Sequence, residues 1–506
     1  MEINTLDDLD KLERKIRQEI SKFRLGDVLY SLYERKDSLR PFIAAGVALF
    51  AVRFSEPSIV SQNIKPLKNI QPIIELVTAY LLADPITFDQ ELYNNLSRSN
   101  PVFLFLRSVC SQFPFDVSEF SEFSRPILLY HEIPNDLVGK AGIPQFDIQK
   151  EFSDLNGVSI HEFINIGFAA SAFAKNNFTF SLNLFEKVRS QGISLPDDKA
   201  IYKAVYQLAG DRVKITTLYD KRKNTDRRFR MYDFNPLRTY PLIFPCKSKG
   251  FGNVGQDFMC APVPGLIDER MSIGIYYQLY NKFGQKFFNY FGYVLEEYLK
   301  LILNNSIKSE KFIDIRDLGI KNLKSPDYAI IDGSVAIVLE CKATKFTLPA
   351  QTISSEETIN DSLKQVIKGL IQLDTFIKAC KAGASNLDEF HECSRFMPVL
   401  VTLEDMYLIN SDDFRDHINE LLKNEENEGI VNLDWQILSI GELECLQPHL
   451  AAGIHLSQVL QDLKHKSFNS VLKELASQTR KTFKDSFLYP KQKELYQRLS
   501  IPDRSE

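Results

Sequence analysis

A chain of 506 residues, 44% of them hydrophobic and 11% aromatic, can bury a large core and is too apolar for long disorder; its length suggests roughly three domains. With 61 Lys and Arg against 66 Asp and Glu the net charge is −5, so contact with a polyanion must come from a local positive patch. Met1 to Arg24 is charged rather than a secretory leader, and the most apolar run, Pro41 to Val52, is too short to span a bilayer. Seven cysteines without C-x-x-C pairs fit a reducing compartment, so a cytoplasmic chain with no membrane partner is expected. Cys380, His391 and Cys393 lack the paired spacing of a zinc site.

Residues 1–232 read as a mainly α-helical recognition or regulatory region, with helical segments near Leu6–Glu34, Ile70–Leu82, Val158–Lys175 and Leu182–Gln191. From Lys203 to Lys249 twelve Lys/Arg stand against four Asp/Glu. Arg222, Arg227 and Arg228, near Tyr219, Phe229 and Tyr232, are candidate contacts to a phosphate backbone; the competing reading is a solvated basic loop. Residues 233–284 form a basic, Pro-rich linker. Its Gly250–Gly255 match to G-x-G-x-x-G is discarded, because prolines follow where a dinucleotide fold needs a helix. No phosphate-binding loop of the G-x-x-x-x-G-K-[ST] type occurs, so any motor would be a separate ATPase partner.

Next, Phe287 to Leu303 has a helical period through Phe291, Val294, Leu295, Tyr298, Leu299 and Ile302. The stretch from Ser325 to Ala343 reads as a β-hairpin around Asp332-Gly333. A loop of those two residues would set Tyr328 opposite Ile337 and Asp327 opposite Val338. Strand alternation then gathers Asp327, Val338, Glu340 and Lys342 on one face, with Tyr328, Ile330, Val335, Ile337, Leu339 and Cys341 on the other. Two carboxylates within reach of one ion, on a hairpin apolar on both faces, mark a candidate site in the middle of a sheet, because charges are seldom buried without a partner or a metal. Glu356 to Lys381 follows as a long amphipathic helix whose polar stripe is Gln365, Lys368 and Gln372, interrupted by Gly369. Met397–Thr402 and Asp434–Ile440 read as further strands, separated by an acidic, solvated segment. Residues 446–506 form a basic helical tail.

Pro326-Asp327 followed thirteen residues later by Glu340-Cys341-Lys342 resembles the PD-(D/E)XK, or restriction-endonuclease-like, nuclease superfamily. The resemblance runs from about Phe288 to Ile440 and implies an α/β nuclease core over residues 285–445: a mixed sheet flanked by helices in the order α-β-β-β-α-β. It implies that Asp327, Glu340 and the Cys341 backbone carbonyl hold Mg²⁺ or Mn²⁺, hard cations that take oxygen ligands. Lys342 would orient the attacking water or offset charge on the phosphate. Glu296, placed by Gly-x-x-x-Glu spacing after Gly292, would join the metal shell, with Glu297 as its substitute. Gln365 would lie near the DNA backbone, with Lys368 as a phosphate contact, while Gln372 is read as solvated. The implied activity is metal-dependent hydrolysis of nucleic acid, with a DNA endonuclease as first choice and a prokaryotic anti-phage or restriction-type setting by analogy. The competing classes are an RNA-targeting nuclease and a non-catalytic nucleic-acid-binding or assembly subunit that retains the fold. A homo-oligomer or a defence partner subunit would fit either class.

Overall fold

The computed structural model describes residues 3–56, 65–89, 91–94, 102–112, 119–140, 142–190, 195–244, 258–320, 323–424 and 434–498. The chain is mixed α/β: helices predominate, and the strands form two small mixed sheets of four and five. Amino-terminal helices fall where periodicity and caps place them. The first predicted segment divides into Leu6–Ile20, capped by Thr5, and Leu25–Tyr33. Gln71–Leu81, Ile160–Ala174 and Asn183–Ser190 lie within the other three expected segments. The helix at Ile160 opens on a capping box in which Ser159 and Glu162 satisfy each other's backbone N–H groups.

The five-stranded sheet and its helices position the candidate site. Helix α1 (Gln285–Ser306) leads through strand β1 (Lys311–Asp314) to β2 (Tyr328–Asp332) and β3 (Val335–Lys342). Helix α2 (Glu356–Lys381) crosses to β4 (Arg395–Thr402), and α3 (Asp412–Asn424) precedes β5 (Gln436–Ser439) and α4 (Ile440–Leu450). The strands lie side by side in the order β1-β2-β3-β4-β5. The first three run antiparallel to their neighbours, as hairpins allow, and β3, β4 and β5 run parallel, as crossover helices require. β3 is thus the central strand.

Both faces of this hairpin are covered, as its apolar alternation predicts. Tyr328, Ile330, Ile337, Leu339 and Cys341 enter one core with Phe291, Leu295 and Tyr298 of α1. Ala329, Ala336 and Val338 enter another with Leu363, Val366 and Leu370 of α2. The helix Val102–Gln112 also packs into this second core through Phe103 and Leu106. A third core joins Leu9 to Ala83 with Ile215 to Leu266.

Packing cuts across the sequence regions. Ile127 to Leu208 and Ile267 to Leu279, from the helical region and the linker, share the first core with the sheet, and so do Val459, Val471 and Leu488 of the tail. Arg125 is fastened to Glu444 of α4, at 2.7 Å between Nε and Oε1, and Tyr298 of α1 donates to the same carboxylate at 2.5 Å. The G-x-G-x-x-G match and the acidic residues Glu425, Glu426 and Glu428 lie outside the described residues.

Candidate active site

The hairpin turn is Gly333-Ser334, one residue later than the Asp332-Gly333 expectation, so Asp332 pairs with Val335 and Tyr328 with Leu339. Gly333 takes φ +60° at the first central position, as a type II′ turn requires and as Asp332 would resist. The pairing therefore moves by two residues. A shift of two preserves every face, so Asp327 and Glu340 remain on the same side of the sheet. The ladder loosens beyond Tyr328: Asp327 N–H donates to the Leu339 carbonyl at 3.1 Å, and Cys341 N–H donates at 2.7 Å to Asp327 Oδ2. One carboxylate oxygen is thereby fixed by the backbone of the strand that carries Glu340 and Lys342.

Three carboxylates converge here from three elements. Glu340 is buried at 1% exposure. Asp327, just before β2, and Glu296, from α1 on the other face, are half-buried. Burial pushes the Asp327 carboxyl up to about 6, against the pull of the Cys341 N–H and of Lys342. Burial raises Glu296 further, to about 8, and the neighbouring Asp327 adds to the effect while Arg316 and Lys342 oppose it. Glu340 is displaced well above the carboxylate range by burial and then by Asp327. Asp327 raises both of the other acids, and Glu296 raises Glu340 as well, so the three are electrostatically linked.

Lys342 is paired with Glu340 and lies 3.4 Å from Gln372 Oε1. Burial lowers its ammonium pKa, but Glu340 and Asp327 more than offset that, and the net shift is upward. Gln372 also donates to Glu340 Oε2 at 2.9 Å and to the Ser325 carbonyl at 2.6 Å. It thus ties α2 to β3 and to the loop that leads into β2. Gly369, one turn earlier, makes this approach possible: a Cβ there would stand 2.4 Å from Leu400 Cδ1 and about 3.5 Å from Lys342 Cγ. The solvated role expected for Gln372 is overturned. Gln365, the glutamine the resemblance selects, lies two turns away, half-buried, and takes no part in these bonds; Lys368 is exposed to solvent. The register along α2, set by the bare Gly369 backbone facing β3, decides between the two glutamines.

Arg316, in a short 3₁₀ turn after β1, was not legible from the sequence. Its guanidinium donates to Asp314 at 2.8–2.9 Å, to Glu297 at 3.1 Å and to the Tyr328 hydroxyl at 3.0 Å, and it lies 3.6 Å from Glu296. The Tyr328 hydroxyl in turn donates a hydrogen bond to the Glu296 backbone carbonyl at 3.0 Å, which fixes α1 against β2. Lys300 pairs with Asp314 at 2.7 Å. Glu297 is therefore engaged with Arg316, and Glu296 is the residue that faces Asp327. Across the cluster, five carboxylates (Glu296, Glu297, Asp314, Asp327, Glu340) face three cations (Lys300, Arg316, Lys342).

The donors suit a hard divalent cation, since every acidic ligand is a carboxylate and a cation would replace the protons that burial keeps on them. Among the described residues no three His, Cys, Asp or Glu side chains form a ready ligand cluster. Mg²⁺ is commonly held by one or two carboxylates with water completing the shell, so Asp327 and Glu340 would suffice. Cys341 could contribute only through its backbone: the thiol is buried in the apolar core on the far face and its pKa is driven up by that burial.

The basic segment is arranged otherwise. Arg228 pairs with Asp226 and Asp89, each at 2.7 Å, and Arg227 pairs with Asp10. Arg222 lies 4.7 Å above the Phe234 ring. Tyr219, Phe229 and Tyr232 are buried in the amino-terminal core rather than displayed beside these cations.

Among the described residues no helix is long and apolar enough to cross a membrane. Comparison with protein-family models, curated proteins and solved structures returns no match.

Proposed function

We propose that this chain is a metal-dependent nuclease, built on a restriction-endonuclease-like core over residues 285–445 and acting on DNA in preference to RNA. The observation that carries the reading is the convergence of Glu296, Asp327, Glu340 and Lys342 at one end of the β2–β3 hairpin. The element order from α1 to β4, α-β-β-β-α-β, supports the same reading.

In this reading Asp327 and Glu340 hold Mg²⁺ or Mn²⁺ with the Cys341 carbonyl, and Glu296 joins them directly or through water. A cation held there would supply Lewis-acid polarisation of a phosphate and would acidify a bound water. Lys342 stands beside the acids, where its ammonium orients the attacking water and offsets charge developing on the phosphate. Gln372 keeps Lys342 and Glu340 in register, a supporting role of the kind that outer-shell hydrogen bonds play around metal ligands. Asp327 is held in place by the Cys341 N–H, so its second oxygen stays free to bind.

The test incubates wild type and Lys342→Ala with plasmid, linear single-stranded DNA and RNA, each in Mg²⁺, Mn²⁺ and EDTA. Cleavage by wild type with either cation, none in EDTA, and a strong loss in the variant are expected. Cleavage that persists in chelator or in the variant would contradict the reading. Cation binding without cleavage of any substrate would favour the non-catalytic subunit.

A further inference from the structure

Away from the hairpin, the amino-terminal helices and the segment just after β3 enclose a cleft of about 870 Å³, its mouth to solvent included. Its walls come from the helices Pro41–Phe54, Gln71–Leu81 and Arg212–Arg222, from the stretch 230–238, and from Leu348, Gln351 and Thr352.

Two features of the lining are unusual together. Arg53 and Arg230 both line the cleft, and the Nε of each is buried without a hydrogen-bond acceptor. Neither arginine forms a close ion pair among the described residues, although Arg230 stands near enough to Asp233 to pull on its carboxyl. The Arg53 guanidinium carbon lies 3.8 Å from the Tyr219 ring centre and 4.7 Å from that of Phe54. Asp233, the one acid lining the cleft among the described residues, is already occupied: it accepts from the Tyr219 hydroxyl at 2.6 Å and from Asn224 at 2.7 and 2.9 Å. Buried guanidinium N–H groups left unpaired are costly, and a pair of them in one cavity calls for an anion. Their planar forks match phosphate oxygens. Phe42, Phe50, Tyr80 and Phe234 supply the aromatic part of the lining, with Phe50 and Tyr80 packed edge-on and mostly buried.

We propose that this cleft is a binding site for a nucleotide, with Arg53 and Arg230 on its phosphate and the surrounding aromatic rings against its base. The proposal does not depend on the nuclease reading. The site spans two parts of the chain that are already tied together. Arg107, buried and paired with Asp84, donates to the Ile353 carbonyl at 3.1 Å, and Thr352 donates to Asn224 at 3.4 Å. A bound nucleotide therefore bridges the helical region to the short helix Leu348–Thr352, four residues before α2, the helix that carries Gln372.

The test titrates the full chain calorimetrically, in EDTA, with AMP, GMP, adenosine and inorganic phosphate. Binding of a mononucleotide is expected, with adenosine and phosphate each weaker by about tenfold or more. Arg53→Gln and Arg230→Gln should each weaken it by about tenfold, because each removes a charge-assisted contact. Lys342→Ala should bind as wild type does, which separates this cleft from the hairpin site. Arg53 also packs on Tyr219, so Arg230→Lys serves as a second variant that keeps the charge and loses the fork. Photo-crosslinking of an azido-nucleotide to wild type, mapped to residues 219–238, needs no variant. The proposal is overturned if neither mononucleotide binds at concentrations on the order of 1 mM. Phosphate binding as tightly as AMP, or Arg230→Gln retaining wild-type affinity, would overturn it equally.

Discussion

The hairpin site and the basic segment at 220–230 treat charge in opposite ways. At the hairpin, Asp327, Glu340 and Glu296 sit together with too few cations to balance them, and burial keeps their protons on to unusually high pH. In the basic segment the sequence is dense with arginine, yet Arg227 and Arg228 are spent on Asp10, Asp89 and Asp226, and the aromatic residues between them fill a core. Charge that is written in a sequence is not charge available to a ligand. What remains unpaired after folding is the better guide: at the hairpin that is the acidic cluster, and in the basic segment it is Arg230, whose buried Nε has no acceptor.

The sharpest way to break this contrast is to remove Lys342. Lys342→Ala should cut cation-dependent cleavage by about 10²–10³-fold, the scale of losing a charge stabiliser at a reacting centre. It should also cost about 2 kcal/mol of stability, less than a locked buried pair because Glu340 can take up a proton instead. The double variant Lys342→Met with Glu340→Gln should recover that stability in a urea titration while cleavage stays lost. Recovery of cleavage would mean that the pair is only structural.

The two glutamines of α2 give the next largest difference. Gln372→Ala should lower cleavage by about 10–100-fold, the usual scale for a group that orients ligands. Gln365→Ala should stay within about twofold of wild type, since it touches neither acid. Equal effects in steady-state assays would discard the register of α2 described above.

Stability against pH separates the regions next. In the folded chain Asp327 and Glu296 hold their protons to about 6 and about 8, whereas in the unfolded chain both release them near their ordinary values. Between those limits the folded state binds more protons, so unfolding free energy falls as pH rises from about 4 to about 8. Thermal melts without divalent cation should show this decline, and Mg²⁺ should reduce it by binding the ionised form. A cation-free melting temperature that rises over that interval would refute the shared burial of these acids.

The smallest effects belong to the basic segment. Arg227→Ala should change DNA affinity by less than about twofold and leave the salt dependence unaltered, because a side chain already paired releases few counter-ions. A slope reduced by about one unit would show that it contacts phosphate after all.

Much of the site was legible in the residues. Asp327, Glu340 and Lys342 follow from strand alternation, which survives a two-residue slip of register, whereas Glu296 comes only from the nuclease resemblance, which asks for an acid on α1 and chooses it over Glu297 by its spacing to Gly292. Gln372 was missed although its signal was present: a glycine inside a long helix weakens it unless something must approach closely, and Gly369 meets Leu400, Glu340 and Lys342. Arg316 left no signal, because a lone arginine in a short turn gains its meaning only from the acids that folding brings around it. Core packing across residues 127–279 was equally hidden, since a helix's period shows that it has a buried face but not which partner covers it.

The central claim is that Asp327 and Glu340, with Glu296 beside them, bind one divalent cation. Titrating the full chain with Mn²⁺ and following the free ion by electron paramagnetic resonance tests it directly. The account predicts one site per chain in wild type, weakened by at least about tenfold in Asp327→Asn. Equal Mn²⁺ binding by wild type and Asp327→Asn, or none by either, would contradict it.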